Sequence, residues 1–147
     1  MTLRVSHGLR SALLGSWGLT SMMDYGVIEL YSGEQPSSAS LSPTGTLLGR
    51  ITTNGDSFTP GSATGALKLI QDDDGGLTKS GVWRLVGVAN GTAGWWRWKW
   101  NLPDDNSNSL YYPRMDGAVG ESLTLGTVDI TTLTDVEITG FYVNILE

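Results

Sequence analysis

Cysteine is absent from the 147 residues, and histidine occurs once. The first absence excludes disulfides and thiolate metal sites. The second leaves His7 as the sole imidazole, so a His-based metal centre would need carboxylates from elsewhere to complete it. A Ser-His-Asp triad would have to use the same side chain as its base, and no serine flanked by glycines on a strand–helix turn accompanies it. A solvent-facing or cap-adjacent role is the expectation for His7. Neither catalytic residues nor a metal nor a cofactor are expected, and the chain reads as a non-enzyme.

Charge is scarce as well. Charged residues make up 16% of the chain, against roughly 25% in ordinary globular domains. Nine basic residues face fifteen acidic ones, a net charge of -6. Tracking a phosphate backbone needs clustered Lys and Arg, so a nucleic-acid partner is not expected, and a neutral or cationic protein surface suits the chain better. No apolar run approaches the roughly 20 residues that span a bilayer, so no membrane partner is expected. The apolar stretch Ala12 to Leu14 is too short for a signal-peptide core, and the N-terminal segment is expected to be part of the mature protein.

What is present is glycine, 20 residues of it, scattered between short apolar runs in the manner of many turns and many strands. VIELYS (Val27 to Ser32), TLLGRITT (Thr46 to Thr53), ALKLIQ, GVWRLVGVAN (Gly81 to Asn90) and WWRWKWN (Trp95 to Asn101) read as strands. LYYPRM, SLTL, TVDITTL and the final VEITGFYVNIL follow them. Gly91 to Gly94 predicts a hairpin between the two strands that flank it. In the last run Phe141, Val143 and Ile145 share one face and Ile138, Tyr142 and Leu146 the other, the pattern of a strand covered on both sides. The Ser/Pro/Gly-rich stretch from Gly33 to Gly45 reads as a surface loop. Leu9, Ala12 and Leu13 stand at helical spacing, which predicts a short helix from Ser6, its cap, to Leu14, ended by Gly15. So short a helix must dock on something, either its own sheet or another subunit. The expected fold is all-β, an antiparallel β-sandwich or jelly roll with a short N-terminal helix. Residues 1–20 form an arm and residues 21–147 the sandwich domain.

Three constellations carry possible chemistry. Asp72 to Asp74 followed by two glycines invites calcium, but lacks the spaced acids and distal Glu of an EF-hand loop, and a solvated turn is the favoured reading. Paired carboxylates could make a glycosidase, yet most acids lie in turns, leaving Glu29 and Glu137 on strands. The run WWRWKW is the most distinctive. In an extended strand Trp96, Trp98 and Trp100 face one way and are expected in the core. Trp95, Arg97 and Lys99 face the other way, where an interface is expected, with a sugar-stacking platform as the alternative. Leu3, Arg4, Leu9, Arg10 and Leu13 of the N-terminal segment complete the candidate interface.

Three motifs in the first third set a further expectation: LR-x-S-x-GLR-x-A-x-L (Leu3 to Leu14), GVI-x-(I/L)-Y-S-G-x-QP (Gly26 to Pro36) and TGTLL-x-x-I (Thr44 to Ile51). The chain resembles, at these positions, a family of small virion structural proteins of tailed bacteriophages. VWRLVGVANGTAGWWRW and PRMDGAVG follow the family's rhythm more loosely, with Asn90 where the pattern carries an acid. The resemblance implies a bacteriophage virion protein made in the host bacterial cytoplasm, acting as a capsid decoration or cement protein. Its partner would be the major capsid protein or another virion protein, and a homo-oligomer is expected. A tail, collar or fibre-associated component is the alternative station, and a carbohydrate-binding module is the alternative of a different class.

Overall fold

The computed structural model describes residues 3–15, 18–133 and 135–144. Among them it places eleven strands and two short helices. In chain order these are β1 (Arg4–Val5), α1 (His7–Leu14), α2 (Leu19–Met23), β2 (Val27–Ser32), β3 (Leu47–Thr53), β4 (Lys68–Gln71) and β5 (Leu77–Ser80). β6 (Trp83–Gly87), β7 (Gly91–Lys99), β8 (Arg114–Ala118), β9 (Leu123–Leu125), β10 (Asp129–Ile130) and β11 (Asp135–Val143) follow. The fold is all-β and sandwich-like, with the short N-terminal helix in place.

The strands form one antiparallel sheet in the order β1-β8-β7-β2-β3-β6-β11-β5-β4, with β10 added on β7 and β9 on β11. The sheet curls until Gly26, just before β2, bridges Leu67, just before β4. This curl makes an inside. Alternation sends Ile28 and Leu30 of β2, Trp96 and Trp98 of β7, Met115 of β8 and Leu85 of β6 into it, all fully or almost fully buried. Phe141 stands at the middle of this core, tilted against Trp83 at 5.4 Å and edge-on to Trp96 at 5.3 Å, separations at which aromatic pairs attract.

Helix α1 begins as expected, with the Ser6 hydroxyl accepting from Leu9 N, and ends at Gly15, whose N–H reaches Ser11 O and Ala12 O. Its docking partner is its own sheet. β1 pairs with β8, Ser6 N donates to Arg114 O at 2.9 Å, and Leu9 lies wholly inside the core. Residues 3–15 are thus built into the domain rather than held out as an arm.

Three expectations need correction. The hairpin between residues 81–90 and 95–101 does not form: Gly91 to Gly94 lie inside β7, which pairs with β2, β8 and β10, while β6 pairs with β3 and β11. The reason lies at Gly94, where a Cβ would collide with the carbonyl of Gly33, so this glycine serves the close approach of the chain as it leaves the neighbouring β2 rather than a turn. LYYPRM is loop as far as Arg114. In β11 the two apolar faces are one: the register shifts between Ile138 and Gly140, and this bulge turns Ile138 to the same side as Phe141 and Val143, leaving Tyr142 partly exposed. Ile145 and Leu146 lie outside the described residues.

Candidate interaction surface

The period of two in β7 places Trp95, Arg97 and Lys99 on the outer face of the sheet, as the sequence says. That face is not a surface. Trp95 is 1% exposed, Arg97 0% and Lys99 8%, because the segments 33–45 and 101–112 fold back over β2, β7 and β8. The expected outward interface at these three residues is therefore corrected to a second buried layer, and so is the sugar-stacking platform, which would need an accessible ring.

This layer is built from charge. Arg97 stands directly opposite Asp116 across the β7–β8 ladder and grips it with two hydrogen bonds of 2.8 Å, both side chains fully buried. Arg114 reaches the covering loop, meeting Asp104 at 2.8 and 2.6 Å and Ser107 O at 2.9 Å. Glu29 of β2 accepts from Arg50 at 3.0 Å, Asn106 at 2.7 Å and Tyr31 at 3.2 Å, and pairs with Lys99 at 3.2 Å. Lys99 also donates to Asp104 O at 2.8 Å. Burial alone would push the Glu29 carboxyl up, but Lys99, Asn106 and Arg50 together outweigh it and hold the group below its ordinary value. Burial does prevail at Asp116, which sits above its ordinary value despite Arg97. The Tyr31 phenol is pushed up by burial and by Glu29, so it stays a donor.

Aromatic rings close the layer. Tyr31 stacks on Trp95 with centroids 4.6 Å apart, and Trp95 Nε1 donates to Thr44 O at 3.2 Å. Arg97 lies 5.5 Å over the Trp95 ring and Arg114 5.1 Å over Tyr112. The cation–π contact at Trp95 is formed inside the protein, where desolvation strengthens it. Arg97 Nη1, Arg114 Nη1 and Asn106 Oδ1 make no hydrogen bond among the described residues, so the layer carries a desolvation cost along with its order.

Of the N-terminal candidates, Leu9 is core and is corrected from the interface for that reason. Leu3 and Leu13 are half-buried and pack against the core. Arg4 is half-buried and donates to Pro36 O at 3.0 Å. Arg10 alone of the five is exposed. His7 sits at the surface, its Nδ1 donating to Leu110 O at 3.0 Å.

The genuine surface features lie elsewhere. Where the covering loops stop, the outer face over β3 and β6 opens into a cleft of about 500 Å³ floored by Leu47, Arg50, Thr52, Val86 and Val88 and walled by Phe58. On the loops themselves Leu41, Leu110 and Tyr111 stand out into solvent, Tyr111 at 87% exposure. The sequence did carry a signal for the last three, Leu41 as a lone apolar residue between serines and Leu110-Tyr111 at the end of a Ser- and Asn-rich stretch, but LYYPRM reads more readily as a strand. Among the described residues no group of three or more His, Cys, Asp or Glu side chains could hold a metal ion. Asp72 instead turns inward on its own loop, accepting from Asp74 N and Gly76 N. Among the described residues no helix is long and apolar enough to cross a membrane.

No protein-family model, curated protein or solved structure matches the chain.

Proposed function

We propose that this chain is a structural component of a tailed-bacteriophage virion, a decoration or cement protein that binds the lattice of the major capsid protein and stabilises the head. The observation that carries the reading is the use to which the resembling motifs are put. Arg4 and Ser6 from the first motif, Tyr31 and Pro36 from the second, Thr44 from the third, and Arg97, Arg114 and Asp116 from the later stretches all meet in the buried charged layer. Most of their polar atoms are bound to one another and to backbone, and the Nη1 atoms of Arg97 and Arg114 that are not are sealed inside the layer, away from any ligand. Such a layer pins two long loops onto the sheet and gives a rigid outer surface, which suits a part that reinforces a shell and performs no chemistry. A cement protein adds interface across the joints of a lattice, and its binding stabilises the assembled state by mass action.

The test is direct. Purified protein should bind empty heads of the phage that encodes it at a fixed stoichiometry and raise their melting temperature. Absence of binding to those heads defeats the cement role. Antibody labelling of intact virions then separates shell from tail or collar by where the signal sits.

A further inference from the structure

Three loop side chains, Leu41, Leu110 and Tyr111, are exposed at 39%, 59% and 87%. They line one shallow depression with Ser40, Asn108 and Ser109, and none of these six residues is charged. The buried layer uses three acids (Glu29, Asp104, Asp116) against three bases (Arg97, Lys99, Arg114), so it is neutral. The remaining twelve acids and six bases of the chain carry the whole net charge of -6. A charge-free apolar patch on such a background is a place where another surface can approach without meeting carboxylates.

The patch is also held rigidly. Ser40 Oγ accepts from His7 N at 3.0 Å and Ser40 O from Ser109 N at 2.9 Å. Asn108 Oδ1 accepts from Ser42 N and Oγ at 2.8 and 3.0 Å, and Ser109 Oγ accepts from Tyr111 N at 3.0 Å. Glycine at position 8 lets α1 lie against the Tyr111 carbonyl, with which a Cβ there would collide. Loops pinned this thoroughly lose little entropy on binding. Tyrosine is among the residues that most often carry binding energy at interfaces, and Tyr111 is the most exposed side chain of the patch.

Charge and area together select the occupant. Arg10 is exposed one turn along α1 from His7, which itself is bonded to both Ser40 and Leu110. Among the described residues no hydrogen bond or ion pair engages its guanidinium, so the edge of the patch offers a cation to a carboxylate. The apolar area is on the order of a few hundred Å², short of the roughly 800 Å² per partner of a standard stable interface. Two copies meeting in solution through this patch would gain too little. A contact of this size works where many copies engage one repeating surface and each is helped by further contacts to the same lattice.

We propose that Leu41, Leu110 and Tyr111, with Arg10 at their edge, are the face that docks on the assembled shell, against an apolar, otherwise uncharged patch of capsid protein that sets one carboxylate opposite Arg10, so that the acidic remainder of the chain meets no further negative charge. The identity of the partner rests on the virion reading given above. The experiment measures binding of the full chain to empty shells prepared without it. The variants are L110S/Y111S, R10E and, as a control outside the depression, I70S on β4 (Ile70 is 52% exposed). Unfolding midpoints of all variants are compared first, and exposed sites should leave them nearly unchanged. Expected results are a loss of about thirtyfold or more in affinity for the double variant, a several-fold loss and a weaker salt dependence for R10E, and no change for I70S. Wild-type binding by L110S/Y111S, or an equal loss in I70S, overturns the docking face while leaving the virion reading intact. Failure of the wild-type chain to bind shells overturns both. Self-association in sedimentation that L110S/Y111S abolishes would make a second copy the occupant and overturn the shell assignment.

Discussion

Replacing Asp116 by asparagine removes one charge from the Arg97–Asp116 pair while keeping the shape of the side chain. Both partners are fully buried and joined by two hydrogen bonds of 2.8 Å, and Arg97 Nη1 already lacks a partner. The variant therefore leaves a guanidinium in a dry site with no compensating carboxylate. Breaking a buried pair in this way costs about 3–5 kcal/mol, whereas an exposed pair would cost about 0–1 kcal/mol. At a few degrees per kcal/mol for a chain of this size, the melting temperature should fall by roughly 10 °C. Urea unfolding followed by tryptophan fluorescence gives the free energy directly. The companion variant R97M/D116L removes both charges, and it should recover most of the loss, because the pair as a whole is worth far less than either orphaned half. A cost below about 1 kcal/mol for D116N, or a double variant as damaged as the two single ones added together, would refute the description of this layer as dry and paired.

Three further outcomes follow from the same layer and from the docked N-terminus. Glu29 has its carboxyl lowered from an ordinary value of 4.5, so its contribution is complete above that value and is lost as pH falls through the folded-state value. E29Q should flatten the acid limb of a stability-against-pH curve measured between pH 6 and about pH 2; Asp116, shifted the other way, works against the limb and does not create it. Leu9 is completely buried in the core, so L9A should lose about 2–5 kcal/mol in chemical unfolding, whereas a Leu9 held only on a free arm would give nearly none. G8A puts a methyl group into the Tyr111 carbonyl; hydrogen exchange should rise in α1 and at residues 109–112 together, and a change confined to α1 would show that the two are not coupled.

How far the sequence could be read follows from which interactions are local. The helix from His7 to Leu14 was legible to within a residue, because a Ser cap, helical spacing and a terminating glycine are all carried by nearby positions. The faces of β7 were legible as faces, since alternation is a property of the strand itself. Which of them meets water was not, because the cover over Trp95, Arg97 and Lys99 comes from residues 33–45 and 101–112, and no local pattern reports a loop folding back from elsewhere. The same limit explains the hairpin that did not form at Gly91 to Gly94, where the demand for glycine comes from the backbone of Gly33 across the sheet. Arg114, Asp116, Asp104 and Asn106 were passed over for a related reason: in sequence they are a turn motif and a polar loop, and only the β7–β8 register sets Asp116 against Arg97, while only the fold-back of the loop brings Asp104 to Arg114 and Lys99 and Asn106 to Glu29.

Register is also where a buried charged layer has its use. In β7 both faces carry tryptophan, Trp95 on one and Trp96 and Trp98 on the other, and both faces are covered. A slip of one residue exchanges the faces, and in a strand this aromatic the apolar pattern alone discriminates weakly against it. Charge discriminates strongly. A slipped β7 would carry Arg97 and Lys99 into the core beside Phe141 and Leu85, away from Asp116 and Glu29, at a cost of several kcal/mol for each unpaired ion. The pairs thus add little net stability in the correct register while making the incorrect one untenable. R97M/D116L separates the two contributions: it should keep most of the unfolding free energy yet lose the sharp cooperativity that a single register provides, seen as a reduced slope in urea. An unchanged slope would assign the register to the tryptophans after all.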